Sequence, residues 1–168
     1  MDRESLLAFV RFHAWANDRI LSTAADLTDD ELRRPSVLDH DSAFQTIRHI
    51  VDVDWSWREF CQGNDVGNTY AWDHFALEDL PALHAFSLEE DGRLRRYVEA
   101  LGEADLAERL AMSEDPNDRI ARWLIIAHVV NHGTQHRSEL AHYFTTCGHS
   151  PGDIDLLDSQ SLPWPVDA

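Results

Sequence analysis

The chain has 168 residues, enough for one domain with a full hydrophobic core. Its formal net charge is −17, and all 14 of its basic residues are Arg. So acidic a surface repels phosphate backbones and anionic lipid, which speaks against nucleic-acid and membrane partners; the absence of Lys excludes Schiff-base chemistry and a Walker-type phosphate loop, both of which need that amine.

Apolar spacing predicts a first helix over residues 5–25. Leu6, Phe9, Val10, His13, Asn17, Ile20 and Ala24 recur at intervals of three and four and form its inward stripe. His13 and Asn17 interrupt that stripe at its centre, where each is expected to hydrogen-bond a neighbouring helix. Residues 28–41 are polar, contain Pro35 and read as a connection. The second helix opens at Ser42-Ala-Phe-Gln45, a capping-box pattern, and runs to Gln62 before Gly63. Its stripe is Thr46, His49, Ile50, Val53, Trp57 and Phe60.

Residues 63–86 form a long connection, unusual in a compact domain and suited to a crossover along a bundle. Ser87-Leu-Glu-Glu90 is a second capping box and predicts a third helix with Leu94, Tyr97, Val98 and Leu101 inward. Residues 102–117 are a second connection, in which Leu106, Leu110 and Met112 fit either a helical turn or a short hairpin. The fourth helix is expected from about Asp118 to Gly148, a favourable C-terminal cap. Pro151 and Gly152 follow, then an acidic tail with Pro and Trp near its end. Four helices around one core make an all-α four-helix bundle.

In the fourth helix, Ile125, Val129, His132, His136 and Tyr143 share one face. His132 and His136, four apart, present two imidazoles to one spot, either as ligands of an ion or as two hydrogen-bonded core histidines. His49 is the required third candidate. If the second and fourth helices run antiparallel, the three imidazoles come to a similar depth; a parallel arrangement matches less well. The antiparallel arrangement also brings His13 and Asn17 to the same level.

No apolar run reaches the ~20 residues of a membrane span, and the N-terminus lacks the layout of a signal peptide, so a cytoplasmic location is expected. Cys61 and Cys147 form no zinc-ribbon or Cys-x-x-Cys spacing and read as free thiols. They fall at opposite ends of the antiparallel bundle, too far apart for a disulfide.

His-Ala-Trp-Ala-Asn17, Thr-Ile-Arg-His49 followed by Asp54-Trp55, Asn131-His132-x-x-x-His136-Arg137, and the closing Cys-Gly-His-Ser-Pro-Gly-Asp-Ile-Asp-Leu-Leu resemble the DinB family (DinB/YfiT-like metalloproteins) over nearly the whole chain. The resemblance implies one domain spanning 1–168 with up-down-down-up topology and a divalent metal ion, zinc or nickel, held by His49, His132 and His136. Two positions depart from the family pattern: Ser138 stands where Gly is usual, and Glu139 where Gln is common.

Three neutral imidazoles leave coordination positions open, the layout of a catalytic site. Glu139 and His128, on the ligand helix, and Asn17 are the candidate catalytic residues. Arg137 lies off the ligand face and is expected to pair with an acidic side chain of another helix. Trp57, Tyr97 and Tyr143 are candidate aromatic walls. Relatives of this kind include S-transferases and isomerases using glutathione-like, mycothiol or bacillithiol cosubstrates, so the expected partners are a low-molecular-weight thiol and a small-molecule electrophile, with a homodimer left open. A non-catalytic stress-related metal-binding protein and a metal-dependent hydrolase use the same three histidines.

Overall fold

The computed structural model describes residues 1–159; the Pro- and Trp-containing end of the tail lies outside them. Four long helices carry the structure. α1 (Arg3–Ala24) is capped by Asp2, whose carboxylate accepts from Ser5 N at 2.8 Å. After the single turn of α2 (Asp29–Arg33), closed by the Thr28/Glu31 capping box, Ser42 caps α3 (Ala43–Cys61) by accepting from Gln45 N. The short α4 (Ala71–His74) sits in the long connection, followed by α5 (Leu80–Ala100). A turn of helix, α6 (Glu103–Ala107), leads into a hairpin of β1 (Arg109–Ala111) and β2 (Arg119–Ala121), with Leu110 opposite Ile120. The hairpin feeds α7 (Arg122–Thr146), which ends before Gly148 at φ 91°, and α8 (Leu156–Ser159) closes the described chain.

Two boundaries differ from the sequence expectation. The third long helix begins at Leu80, not at Ser87, because Asp79 caps it by accepting from Ala82 N at 2.9 Å and Pro81 occupies its first turn. Ser87 lies buried inside the helix, so its capping-box spacing is incidental. The second connection holds both the helical turn and the hairpin, which moves the start of the last helix to Arg122.

Contacts between the helices fix their directions. Arg58 of α3 is ion-paired with Glu90 of α5, and Tyr97 OH donates to Cys61 O at 2.6 Å further along both, so α3 and α5 run parallel. On α1 and α5, Asp18 meets His84 at 2.8 Å while Arg3 NH1 donates to Leu101 O at 3.2 Å, which makes them antiparallel. His49 with His132, and Trp57 with His128, make α3 and α7 antiparallel. The topology is therefore up-down-down-up, with the crossover between α3 and α5.

The apolar core falls into two main bodies. Ile20, Leu21, Ile47, Leu83, Leu140 and Phe144 fill one end of the bundle; Leu6, Val10, Leu94, Val98, Ile126 and Val129 fill the other. Between them each long helix contributes a buried polar residue: His13 and Asn17, Asp54, Asp91, and Arg137. A polar layer in mid-core costs several kcal/mol unless its members satisfy one another; these bond to one another, with Asp54 Oδ1, Asp91 Oδ2 and Arg137 Nε left without a hydrogen-bond partner among the described residues. Arg137 can only donate, so His13 Nδ1 accepts from Arg137 NH1 at 3.1 Å and His13 Nε2–H donates to Asp54 Oδ2 at 3.0 Å. Asn17 Oδ1 accepts from Arg137 NH1 at 2.7 Å, and its amide nitrogen donates to Asp54 Oδ2 at 3.1 Å and Asp91 Oδ1 at 3.3 Å.

Candidate metal centre

Helix α7 places His132 and His136 one turn apart, and antiparallel α3 brings His49 opposite them. The ring centres are 4.9 Å apart for His49 and His132, 5.2 Å for His49 and His136, and 4.5 Å for His132 and His136. His49 Nε2 lies 3.0 Å from His132 Nε2. Two neutral imidazoles facing each other through Nε2 can share only one proton there; with both protons on Nδ1 instead, their two lone pairs aim at the same small space.

Burial holds the His49 and His132 rings neutral. It pushes His49 down to about 4, with the neighbouring His40 and His136 acting in the same direction. His132 is pushed down to about 4 by burial first, then by His136 and His49. The charge of Asp54 pulls both upward but does not prevail. Near neutral pH, then, His49 and His132 offer free lone pairs without a proton having to leave.

Glu139, one turn beyond, approaches His136 Nδ1 at 3.3 Å. A carboxylate there holds the proton on Nδ1 and leaves Nε2 as the donor atom, the usual arrangement behind a metal-ligating imidazole. His132 Nδ1, by contrast, is buried with no hydrogen-bond partner among the described residues. Imidazole nitrogens grouped in this way could hold a metal ion.

The other residues singled out from the sequence divide. His128 is exposed on α7, with its ring 5.9 Å from His132 and 5.8 Å from Trp57. Trp57, Met112, Ile120, Leu124, Ile125 and His128 line an apolar cavity of about 330 Å³ between α3, the hairpin and the start of α7. Asn17 is bound into the polar layer of the core, with both ends of its amide engaged there. Of the aromatic walls, only Trp57 borders the histidine row: Tyr97 bonds Cys61 O, and Tyr143 OH donates to Glu31 O at 2.6 Å. Among the described residues Arg137 does not form the expected ion pair; it is 2% exposed and its terminal nitrogens donate to His13, Asn17 and Thr134, with Asp54 and Asp91 acting on it only through space.

Two residues, His40 and Asp91, escaped the sequence reading, and a third, Asp54, entered it only as part of the family resemblance, with no role. His40, in the loop before α3, stacks on His49 with ring centres 3.8 Å apart, and donor atoms of His40, His49 and His136 all lie within 4.8 Å of one another. Loop residues carry no periodicity, so no helical-face argument could select it. Asp54 and Asp91 do carry a signal. Each sits on an inward stripe, four after Ile50 and three before Leu94, where a carboxylate must be partnered.

A family model described as DinB family matches residues 1–164 of the chain. The chain is also similar to Protein DinB of Bacillus subtilis (strain 168), with 23% identity over 150 residues covering 86% of this chain and 87% of the relative.

Proposed function

The chain belongs to the DinB family, and on that footing we propose that it is a divalent-metal-binding protein whose histidine cluster serves thiol S-transfer to a small electrophile. The observation that carries the metal half of this reading is the meeting of His49 and His132 through Nε2 at 3.0 Å, with His136 closing the group. A bound divalent ion supplies one thing, a lowered pKa for a coordinated thiol or water near neutral pH.

The chain's own residues do the rest. His49, His132 and His136 would hold the ion as neutral donors, and Glu139 orients the His136 ring through Nδ1. The cavity beside His128 is apolar on nearly every side and suits the hydrocarbon part of an electrophile. His128, exposed between that cavity and His132, is placed to carry a proton between solvent and the site. Asn17 acts at one remove, by fixing Arg137 and Asp54 in the layer beneath.

A second reading, a binding protein without catalysis, is favoured by one observation: His40 adds a fourth imidazole to the cluster, and four-ligand zinc sites are closed ones. Cobalt substitution separates the two. Adding glutathione, or a simpler thiol, to the cobalt-loaded protein should produce a sulfur-to-metal charge-transfer band that is absent in His136→Ala. A cobalt spectrum indifferent to every thiol would remove the transferase reading and leave a hydrolase or a plain metal-binding bundle.

A further inference from the structure

His40 is held where it is by a turn built for the purpose. Asp41 N donates to Leu38 O at 3.1 Å, Ser42 N donates to His40 O at 2.8 Å, and Ser36 N donates to Asp41 O at 2.6 Å. Buried Leu38 anchors the turn on one side, and the Ser42 cap of α3 anchors it on the other. Asp41 has φ +65°, the only positive φ outside glycine among the described residues. Asp tolerates the left-handed region better than most side chains, yet the position still costs on the order of 1 kcal/mol. Strain adjacent to a ring that sits in a histidine cluster is the pattern of a segment shaped for a site.

The ring positions are informative in detail. Two imidazoles on one tetrahedral ion, with nitrogens ~2.0 Å from it, have ring centres about 5 Å apart. His49 and His136 meet that at 5.2 Å, His40 and His136 at 5.1 Å, and His49 and His132 at 4.9 Å. His40 and His49 do not: they are stacked at 3.8 Å, with 29° between their planes. His40 therefore stands in reach of the cluster without being seated in it as an ideal fourth ligand. His49 and His136 are common to both possible sets of three, and His40 and His132 fill out the group from opposite elements, a loop and a helix.

We propose that His40 is a detachable fourth donor, which completes a four-nitrogen set with His49, His132 and His136 and gives up its place to a thiol by rotation of its side chain about the anchored turn. The inference rests on the reading that the cluster holds a divalent ion. It reconciles the two functional readings: with His40 seated the site is closed, and with His40 withdrawn one position opens. The three helical histidines, set by packed α3 and α7, stay in place; the loop ligand is the one that can leave.

The test compares wild type with His40→Phe, which keeps a flat ring against His49 but has no donor, and with His136→Ala, all checked for native helix content by circular dichroism. Cobalt affinity and a titration with 2-mercaptoethanol are read from the visible spectrum. His40→Phe should bind cobalt about tenfold or more weakly and, once saturated with cobalt, should develop the charge-transfer band at lower thiol concentration than wild type. Cobalt affinity and thiol midpoint both equal to wild type would overturn the assignment and leave His40 as a stacking residue. A weaker cobalt affinity with no change in thiol midpoint would overturn the detachable role. Wild-type protein that binds no cobalt would sink the metal reading itself, whereas cobalt bound by wild type and lost only in His136→Ala sinks the His40 proposal alone.

Discussion

Gly133 stands between the two clustered histidines of α7, His132 and His136, and its missing side chain is what lets the polar layer close. A Cβ built there would fall on Arg137 NH1 and lie 2.7 Å from His13 Cε1 and 3.0 Å from His13 Nδ1. Those atoms are not the free ends of flexible chains: Arg137 and His13 are buried and bonded to each other at 3.1 Å. Gly133→Ala has a favourable side, since alanine gains roughly 0.5–1 kcal/mol over glycine in a helix interior. Overpacking costs about 1–3 kcal/mol, and displacing the charged hydrogen bonds of Arg137 to His13 and Asn17 adds about 1.5–3 kcal/mol. These combine to a net loss of about 1.5–5.5 kcal/mol, centred near 3.5 kcal/mol. For a chain of this length each kcal/mol moves Tm by roughly 2–4 °C, so scanning calorimetry of the metal-free protein should show a fall of about 5–15 °C. An unchanged or raised Tm would refute the close approach of His13 and Arg137 over Gly133.

Burial, with the Asp54 charge beside it, pushes the Asp91 carboxyl well above its ordinary value of 3.8. The folded protein thus keeps a proton that the unfolded chain releases near pH 4, and stability from this group falls as pH rises from there to the folded pKa. Asp91→Asn removes that proton uptake, so urea denaturation of the metal-free proteins should show the variant gaining on wild type as pH rises above about 4; a gap that stays constant from pH 4 to 8 contradicts the buried, protonated carboxyl. The thiols should also differ. Burial raises Cys61 to about 12, while Cys147 is half-buried at the far end of the bundle. Iodoacetamide at pH 8 should therefore label Cys147 in the native protein and Cys61 only after unfolding, and a Cys61–Cys147 disulfide peptide would contradict antiparallel α3 and α7.

What could be read from the sequence was whatever repeats with the helix. His132 and His136 are one turn apart on an apolar face, and His49 interrupts another such face, so helical spacing was enough to bring the three rings into one group. Direction was indicated as well, because antiparallel α3 and α7 match the depths of the rings better than parallel ones do. Local rules failed where tertiary structure chose among several local signals. Ser87-Leu-Glu-Glu90 has the spacing of a cap, but Asp79 and Pro81 offer an earlier one, and Leu80 and Leu83 bury against the core from there. The buried carboxylates were given no role for a different reason. Asp54 and Asp91 lie on inward stripes, but their partners His13, Asn17 and Arg137 come from other helices, and no single segment shows that the layer will be satisfied. His40 depends on a turn geometry, Asp41 at positive φ before the α3 cap, that spacing does not encode.

The central claim is that His49, His132 and His136 hold one divalent ion, and metal content measures it directly. Protein purified without chelator and desalted should carry close to one zinc or nickel per chain by inductively coupled plasma mass spectrometry. His132→Ala and His136→Ala should carry essentially none and His49→Ala far less than wild type, with circular dichroism unchanged, because two imidazoles rarely hold a borderline ion against buffer. Stoichiometric metal retained in His49→Ala, or no metal bound by the wild-type chain even after incubation with zinc and nickel, would contradict the account.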